Sequence, residues 1–268
     1  MLFPTLIRRI TQFAFVLLLV AFNSCDDRNN SVSSDPADDI SPNEALVQAG
    51  VKYGSEDRQF LDIYRPASDN STPIFFNAHA NGGTTAVPNS LVQDLNAEGI
   101  TLISWESHTS INSEETLEDG WADAELMLQW VMDNAETYNL DTANLIIGGS
   151  SRGTILSWII GHTPNPNVKG LYMYNALPNS VWGNPGWSPT DNVTADSPPI
   201  FFVYGREPGS TNHPTDPDFH DPNNGFTIVN QYQSLGIGDR ATLVHSISET
   251  DNTDRFQFVV EFALSLID

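Results

Sequence analysis

Leu145-Ile146-Ile147-Gly148-Gly149-Ser150-Ser151-Arg152-Gly153-Thr154-Ile155-Leu156-Ser157-Trp158 is the stretch on which the fold of this chain turns. The unbroken apolar triplet Leu145 to Ile147 reads as a strand buried on both faces. The residues from Thr154 onward read as a helix. Between them, Gly149-Ser150-Ser151-Arg152-Gly153 fits G-x-S-x-G with Ser151 at its centre. A strand that turns at once into a helix forces the central residue into a strained conformation, and a side chain on either flank would collide with the turn. The serine then stands beyond the C-terminal end of the strand, with the amides of a helix N-terminus at hand. A tight glycine turn without chemistry would show the same letters. The buried strand before it and the helix after it are what make Ser151 a candidate nucleophile.

Outward from this point, short apolar runs alternate with longer amphipathic ones from about Asn43 to the end. That alternation predicts an α/β domain with a mostly parallel sheet covered by helices. Candidate strands are Phe60–Tyr64, Pro73–His79, Ile100–Trp105, Asn144–Gly148, Gly170–Tyr174, Pro199–Tyr204 and Ala241–Ser248. Leu117, Trp121, Ala124, Leu128, Val131 and Ala135 recur at spacings of three and four, which predicts a helix over about Glu114–Tyr138. A further helix is expected from about Phe226, and a last one over about Asp254–Ile267.

The 268 residues include 34 acidic and 11 basic ones, a formal net charge of −23. A nucleic-acid partner is excluded by that balance, since its electrostatic footprint is a basic face. There is one cysteine, Cys25, so no intrachain disulfide is available. Arg8-Arg9, the apolar run Phe13–Phe22 and then Asn23-Ser24-Cys25 have the order of a secretory signal, and the run is too short to span a hydrocarbon core of about 30 Å. With the cysteine at the break, the segment resembles a bacterial lipoprotein signal. That resemblance implies a signal peptide over 1–24, lipidation of Cys25 and a membrane attachment through the lipid. Asp26-Asp27 resembles the acidic export tag of surface-displayed lipoproteins, which implies an outer-membrane lipoprotein of the cell envelope. Residues 25–42 (through DDRNNSVSSDPADDISP) are polar and read as a flexible tether. One domain, 43–268, follows.

Beyond the elbow, Tyr53-Gly54 with Leu61-Asp62-Ile63-Tyr64-Arg65-Pro66, and Ile74 to Gly83 (IFFNAHANGG), resemble the α/β-hydrolase family, close to carboxylesterases and acetyl- or feruloyl-esterase-like enzymes. The resemblance runs from about Val51 to the C-terminus and implies an α/β-hydrolase fold. It departs at Trp105-Glu106-Ser107, where those enzymes often have Asn-Tyr-Arg. The activity it implies is hydrolysis of a carboxylic ester, on a small molecule or linked to a polysaccharide, through an acyl-enzyme on Ser151. Negative charge then develops on the substrate carbonyl oxygen, and the backbone amides of Arg152 and of Asn81, Gly82 or Gly83 would form its oxyanion hole. A plain Gly-Gly turn beside a packed His79 is the simpler reading of that loop.

A serine nucleophile needs a base, and the base an orienting carboxylate; the chain order in this fold is Ser, then Asp or Glu, then His. After Pro199–Tyr204 the chain reads Gly205-Arg206-Glu207-Pro208, with proline where the family has aspartate. Asp221, ahead of the next helix, is the candidate acid, with Glu207 as runner-up. The family's histidine lies after the last strand, but Glu249-Thr250-Asp251-Asn252-Thr253 holds none. His220 is the candidate base, followed by His213; His245 sits inside a predicted strand, His108 is an outside candidate and His162 reads as structural. Trp182 and Trp187 are candidate substrate walls. A fold that has lost its base and binds a ligand or partner is the rival reading. No zinc spacing, no P-loop and no dinucleotide fingerprint is present, and the aspartates of 209–225, Asp216 and Asp218 among them, lack the EF-hand spacing, so no cofactor or metal is expected.

Overall fold

The computed structural model describes residues 40–41, 43–107, 117–176, 188–209, 220–248 and 252–267. Among them are eight strands, β1 (Leu46–Lys52), β2 (Phe60–Arg65), β3 (Thr72–Ala78), β4 (Thr101–Trp105), β5 (Leu140–Ser150), β6 (Val168–Tyr174), β7 (Ile200–Val203) and β8 (Ala241–Val244). The helices are α1 (Asn89–Ala97), α2 (Leu117–Asp133), α3 (Arg152–His162), α4 (Pro222–Ser234) and α5 (Thr253–Leu264). All belong to one unit, Pro36–Asp268. The strands form a single sheet in the order β1-β2-β4-β3-β5-β6-β7-β8. β1 and β2 pair antiparallel with each other and β2 with β4, and every other pairing is parallel. This is the mostly parallel, helix-covered sheet expected of an α/β-hydrolase.

The continuous apolar runs are explained by burial on both faces. Ile74 and Phe76 of β3, with Leu145 and Ile147 of β5, face Ala124, Met127 and Val131 of α2 and Leu156 and Ile160 of α3. Phe75 and Ile146, between them in sequence, point the other way with Tyr172 and meet Leu91 and Leu95 of α1 and Phe256, Val259 and Ala263 of α5. Toward β7 and β8, Leu171, Met173 and Phe202 pack on Ile228 and Tyr232 of α4. A fully buried isoleucine, leucine or phenylalanine contributes about 1.5–3 kcal/mol, so this double-sided core dominates the stability of the sheet. The strand order reverses direction at β3 and β5, and the crevice beyond their C-terminal ends is where open α/β sheets place their sites.

Several elements differ from expectation. The strand expected over Ala241–Ser248 ends at Val244, because Ser246 takes a left-handed φ of 63° and its amide turns to Arg206 O. The strand at Asn144–Gly148 is longer, beginning at Leu140. The helix expected from about Phe226 starts earlier, at Pro222, and of the helix expected over Glu114–Tyr138 the portion before Leu117 lies outside the described residues. β1 and α1 are additional. β1 has a mostly exposed, alternating pattern with little apolar signal, and α1 follows Pro88, an N-cap that makes no side-chain cap bond.

Candidate active site

The elbow is built as its glycines demand. Ser151 sits between β5 and α3 with φ 50° and ψ −118°, a sparsely populated region that costs of order 1–3 kcal/mol for a residue with a side chain. Its amide donates to Tyr174 O at 2.9 Å, and its carbonyl accepts from the Thr154 amide and hydroxyl at 2.9 and 2.6 Å, so the strain is held from both sides. A Cβ on Gly149 would lie 2.6 Å from the Gly153 carbonyl, and one on Gly153 would lie 1.9 Å from Ala78 O. Neither flank has room for a methyl group.

The Ser151 hydroxyl is 2.8 Å from Nε2 of His220, a residue 69 positions later in the chain. His220 is placed by the segment that enters α4. Its neighbour Asp221 is the N-cap of that helix: Oδ1 accepts from the Asn223 amide at 2.8 Å, and Oδ2 and Oδ1 accept from the Gly209 amide at 2.9 and 3.2 Å. The carboxylate expected to orient the imidazole is thus turned to the backbone amides of Gly209 and Asn223. The structure brings Ser151 and His220 together and gives Asp221 a cap geometry.

The candidate oxyanion loop follows β3. Asn81, Gly82 and Gly83 are exposed and form a tight turn in which Gly82 has φ 71° and the Gly83 amide donates to Ala80 O at 2.9 Å. The Gly83 N–H is therefore committed within the turn, which leaves the amides of Asn81 and Gly82 as the donors this loop has for a ligand. Arg152, first residue of α3, is buried. Its amide is the first of the helix and directly follows the nucleophile.

Beneath the loop lies a buried polar cluster that the sequence did not reveal. His79 Nε2 is 2.9 Å from Glu106 Oε2, and its Nδ1 is 2.7 Å from Ala80 O. Glu106 Oε1 accepts from Arg58 at 2.8 Å and from the Ser107 amide at 2.9 Å. Ser107 and Gln59 both donate to Asp123, at 2.7 Å each, and the Tyr53 hydroxyl donates to Glu106 O. Burial alone would raise the Glu106 carboxyl, but the hydrogen bond and charge of His79, then Arg58, outweigh it and hold it below the usual carboxylate range. Burial, followed by the charges of Asp123 and Glu106, pushes the Tyr53 hydroxyl well up. The signal that could have exposed this cluster is the register that sets Ala78 beside Trp105, which makes His79 and Glu106 neighbours.

The remaining candidates fall elsewhere. His245 lies just past the end of β8, not inside a strand, with Nδ1 2.8 Å from Ser246 Oγ and 3.4 Å from Glu207 Oε2. His162 ends α3 stacked on Trp158, ring centroids 4.1 Å apart, with Nδ1 3.0 Å from Trp158 O, and burial pushes it down to about 4. His108, Trp182, Trp187, His213, Asp216 and Asp218 lie outside the described residues. Among the described residues no group of histidine, cysteine and carboxylate side chains could hold a metal ion, and no helix is long and apolar enough to cross a membrane.

A strained serine between strand and helix, at the centre of a mostly parallel eight-stranded sheet, is the arrangement of the α/β-hydrolase fold. The family model described as BD-FAE matches residues 61–181, from β2 through the oxyanion loop and the elbow, and ends before His220. No curated relative matches the sequence. Among solved structures, a truncated carbohydrate esterase from gut microbiota shares 18% identity with a TM-score of 0.64, covering 85% of this chain and 98% of that one. Esterase 2 of Thermogutta terrifontis, phosphorylated by paraoxon, shares 16% identity with a TM-score of 0.61, covering 83% of this chain and 93% of that one. The bifunctional GH43-CE of Bacteroides eggerthii shares 13% identity with a TM-score of 0.62, covering 86% of this chain and 39% of that one. At these identities the likeness is one of fold.

Proposed function

We propose that this protein is a carboxylic ester hydrolase that works through an acyl-enzyme on Ser151. The observation that supports this above all others is the 2.8 Å contact between Ser151 Oγ and His220 Nε2, inside the range for a nucleophile and its general base. Oγ attacks the ester carbonyl carbon while its proton passes to Nε2. The tetrahedral intermediate collapses, the carbon–oxygen bond to the alcohol breaks, and Nε2–H protonates the leaving alkoxide. Water then attacks the acyl-serine by the same route, with His220 again taking and returning a proton, and the acid leaves. The developing oxyanion is held by the Arg152 amide and by Asn81 or Gly82, each donor lowering the barrier by about 2.7–4 kcal/mol. Asp221 supports the base by capping α4 and tying its start to Gly209.

The rival, a hydrolase fold without a base, loses its motive when a histidine stands in contact with the serine. The substrate class we favour is an ester on a small molecule or a polysaccharide, in keeping with the carbohydrate esterase among the similar structures. Export on the 1–24 signal and lipidation of Cys25 would set the enzyme at the cell envelope. Loss of acyl labelling in Cys25→Ser cells fed a radiolabelled fatty acid tests that placement.

The function itself is tested with short-chain nitrophenyl esters and an organophosphonate that modifies active serines. Turnover and labelling by the intact protein, both abolished in Ser151→Ala, are the expected result. Equal rates in the two proteins, with no label on Ser151, overturn the reading.

A further inference from the structure

Asn81, Gly82 and Gly83 stand exposed, yet donors in an oxyanion hole must sit within about 2.7–3.1 Å of the forming charge. Something must hold so open a loop. Its one buried member is His79, whose ring has no slack: a Cβ on Gly83 would lie 2.9 Å from Nδ1 and 3.3 Å from the His79 Cβ. One ring nitrogen binds the loop's own Ala80 O at 2.7 Å. The other faces Glu106 on the neighbouring strand end at 2.9 Å.

Glu106 divides its two oxygens between two tasks. Oε1 is taken by Arg58 and by the Ser107 amide, at 2.8 and 2.9 Å, and its own carbonyl receives the Tyr53 hydroxyl. The carboxylate is therefore clamped from the side away from the site, with Oε2 left for His79. Ala80 O and Glu106 Oε2 thus flank the ring, one at each nitrogen.

We propose that Glu106 is a positioning residue for the oxyanion loop, acting through His79, and that it aids transition-state binding more than substrate binding. The proposal rests on the esterase reading above. Replacing Glu106 by glutamine keeps its shape and removes its charge. Replacing His79 by asparagine keeps a donor near the Nδ1 position for Ala80 O and removes the reach to Glu106.

The experiment is a double-mutant cycle in the intact protein, with kcat and KM for a nitrophenyl ester and the rate of phosphonate labelling of Ser151. Glu106→Gln and His79→Asn are each expected to lower kcat and labelling rate by about 10- to 100-fold, with KM within about threefold, and the double variant to be no slower than the slower single one. A Glu106→Gln enzyme with the intact protein's kcat, or effects that multiply in the double variant, overturns the proposal. Where Glu106→Gln fails to fold, Arg58→Gln replaces it; this side chain is 41% exposed, and releasing Oε1 should lower kcat several-fold at unchanged KM. An unchanged kcat in that variant overturns the proposal equally. Ser151→Ala separates the two levels: if it retains the intact protein's rate, the esterase reading fails and this inference with it. If it is dead while Glu106→Gln is fully active, only the inference fails.

Discussion

The two roles open to Asp221, helix cap and orienting carboxylate, part company under a change of a single atom. In the structure Oδ1 alone reaches both the Asn223 amide at 2.8 Å and the Gly209 amide at 3.2 Å, while Oδ2 adds one contact to Gly209 at 2.9 Å. Asparagine caps helices as well as aspartate does, so Asp221→Asn keeps the two Oδ1 bonds and loses one exposed bond, at a cost of about 0.5–1 kcal/mol. Alanine loses all three; the cap and the Gly209 tie together are worth about 2 kcal/mol. At about 2–4 °C per kcal/mol for a domain of this size, the melting temperature should fall by about 1–4 °C for asparagine and about 4–8 °C for alanine. The kcat of Asp221→Asn should stay within about threefold of the parent, because the backbone that presents His220 is still fixed. An orienting carboxylate behaves oppositely: its amide replacement costs about 10⁴ in kcat. A melting curve and a steady-state assay on Asp221→Asn decide the matter. A loss approaching 10⁴ with an unshifted melting temperature would refute the anchoring argument and return Asp221 to the triad.

Gly153→Ala sets a methyl 1.9 Å from Ala78 O and should cost about 3 kcal/mol or more together with most of the activity, read by melting temperature and ester turnover; a variant of parental stability contradicts the packing argument. His162, held at about 4 in the fold, is protonated first in the unfolded chain, so stability should be complete above about pH 6.5 and fall as pH drops toward 4, by up to about 3 kcal/mol. His162→Asn should flatten urea-midpoint against pH across that window, and an unchanged slope would rule out His162 as the acid-labile group. The lowered Glu106 carboxyl acts in the same direction at more acidic pH, its contribution being lost as pH falls through its folded value. His220→Gln should reduce kcat by at least about 10³ while leaving phosphonate-free binding of substrate, seen as KM, nearly unchanged.

What could be read from the sequence followed how local each feature is. The elbow is written in five consecutive residues, because the steric demand of the turn falls on Gly149 and Gly153 themselves. The buried strands are legible for a similar reason, since consecutive residues such as Phe75 and Phe76 meet helices on opposite faces of the sheet and leave no face for polar residues. His220 was approachable only by topology: a histidine after β7 ends at the same sheet edge as Ser151. The clamp of His79 by Glu106 was not legible, because it arises from the register of β3 against β4 and from Arg58 reaching in from the β1–β2 connection. β8 ends early for want of any sequence warning, as serine at position 246 adopts a left-handed backbone that glycine or asparagine would have announced.

The contact between Gly153 and Ala78 has a mechanical meaning. With no methyl group able to enter, the first turn of α3 rests directly on the carbonyl that ends β3, one residue before the candidate oxyanion loop begins. Nucleophile and loop base are thus seated on a common joint with no compressible side chain between them. Thermal breathing that displaces the helix must displace the strand end with it, so the two halves of the catalytic geometry travel as one body. Flexibility for admitting substrates of different size has to come from the outer walls, while the spacing at the reacting centre is left undisturbed.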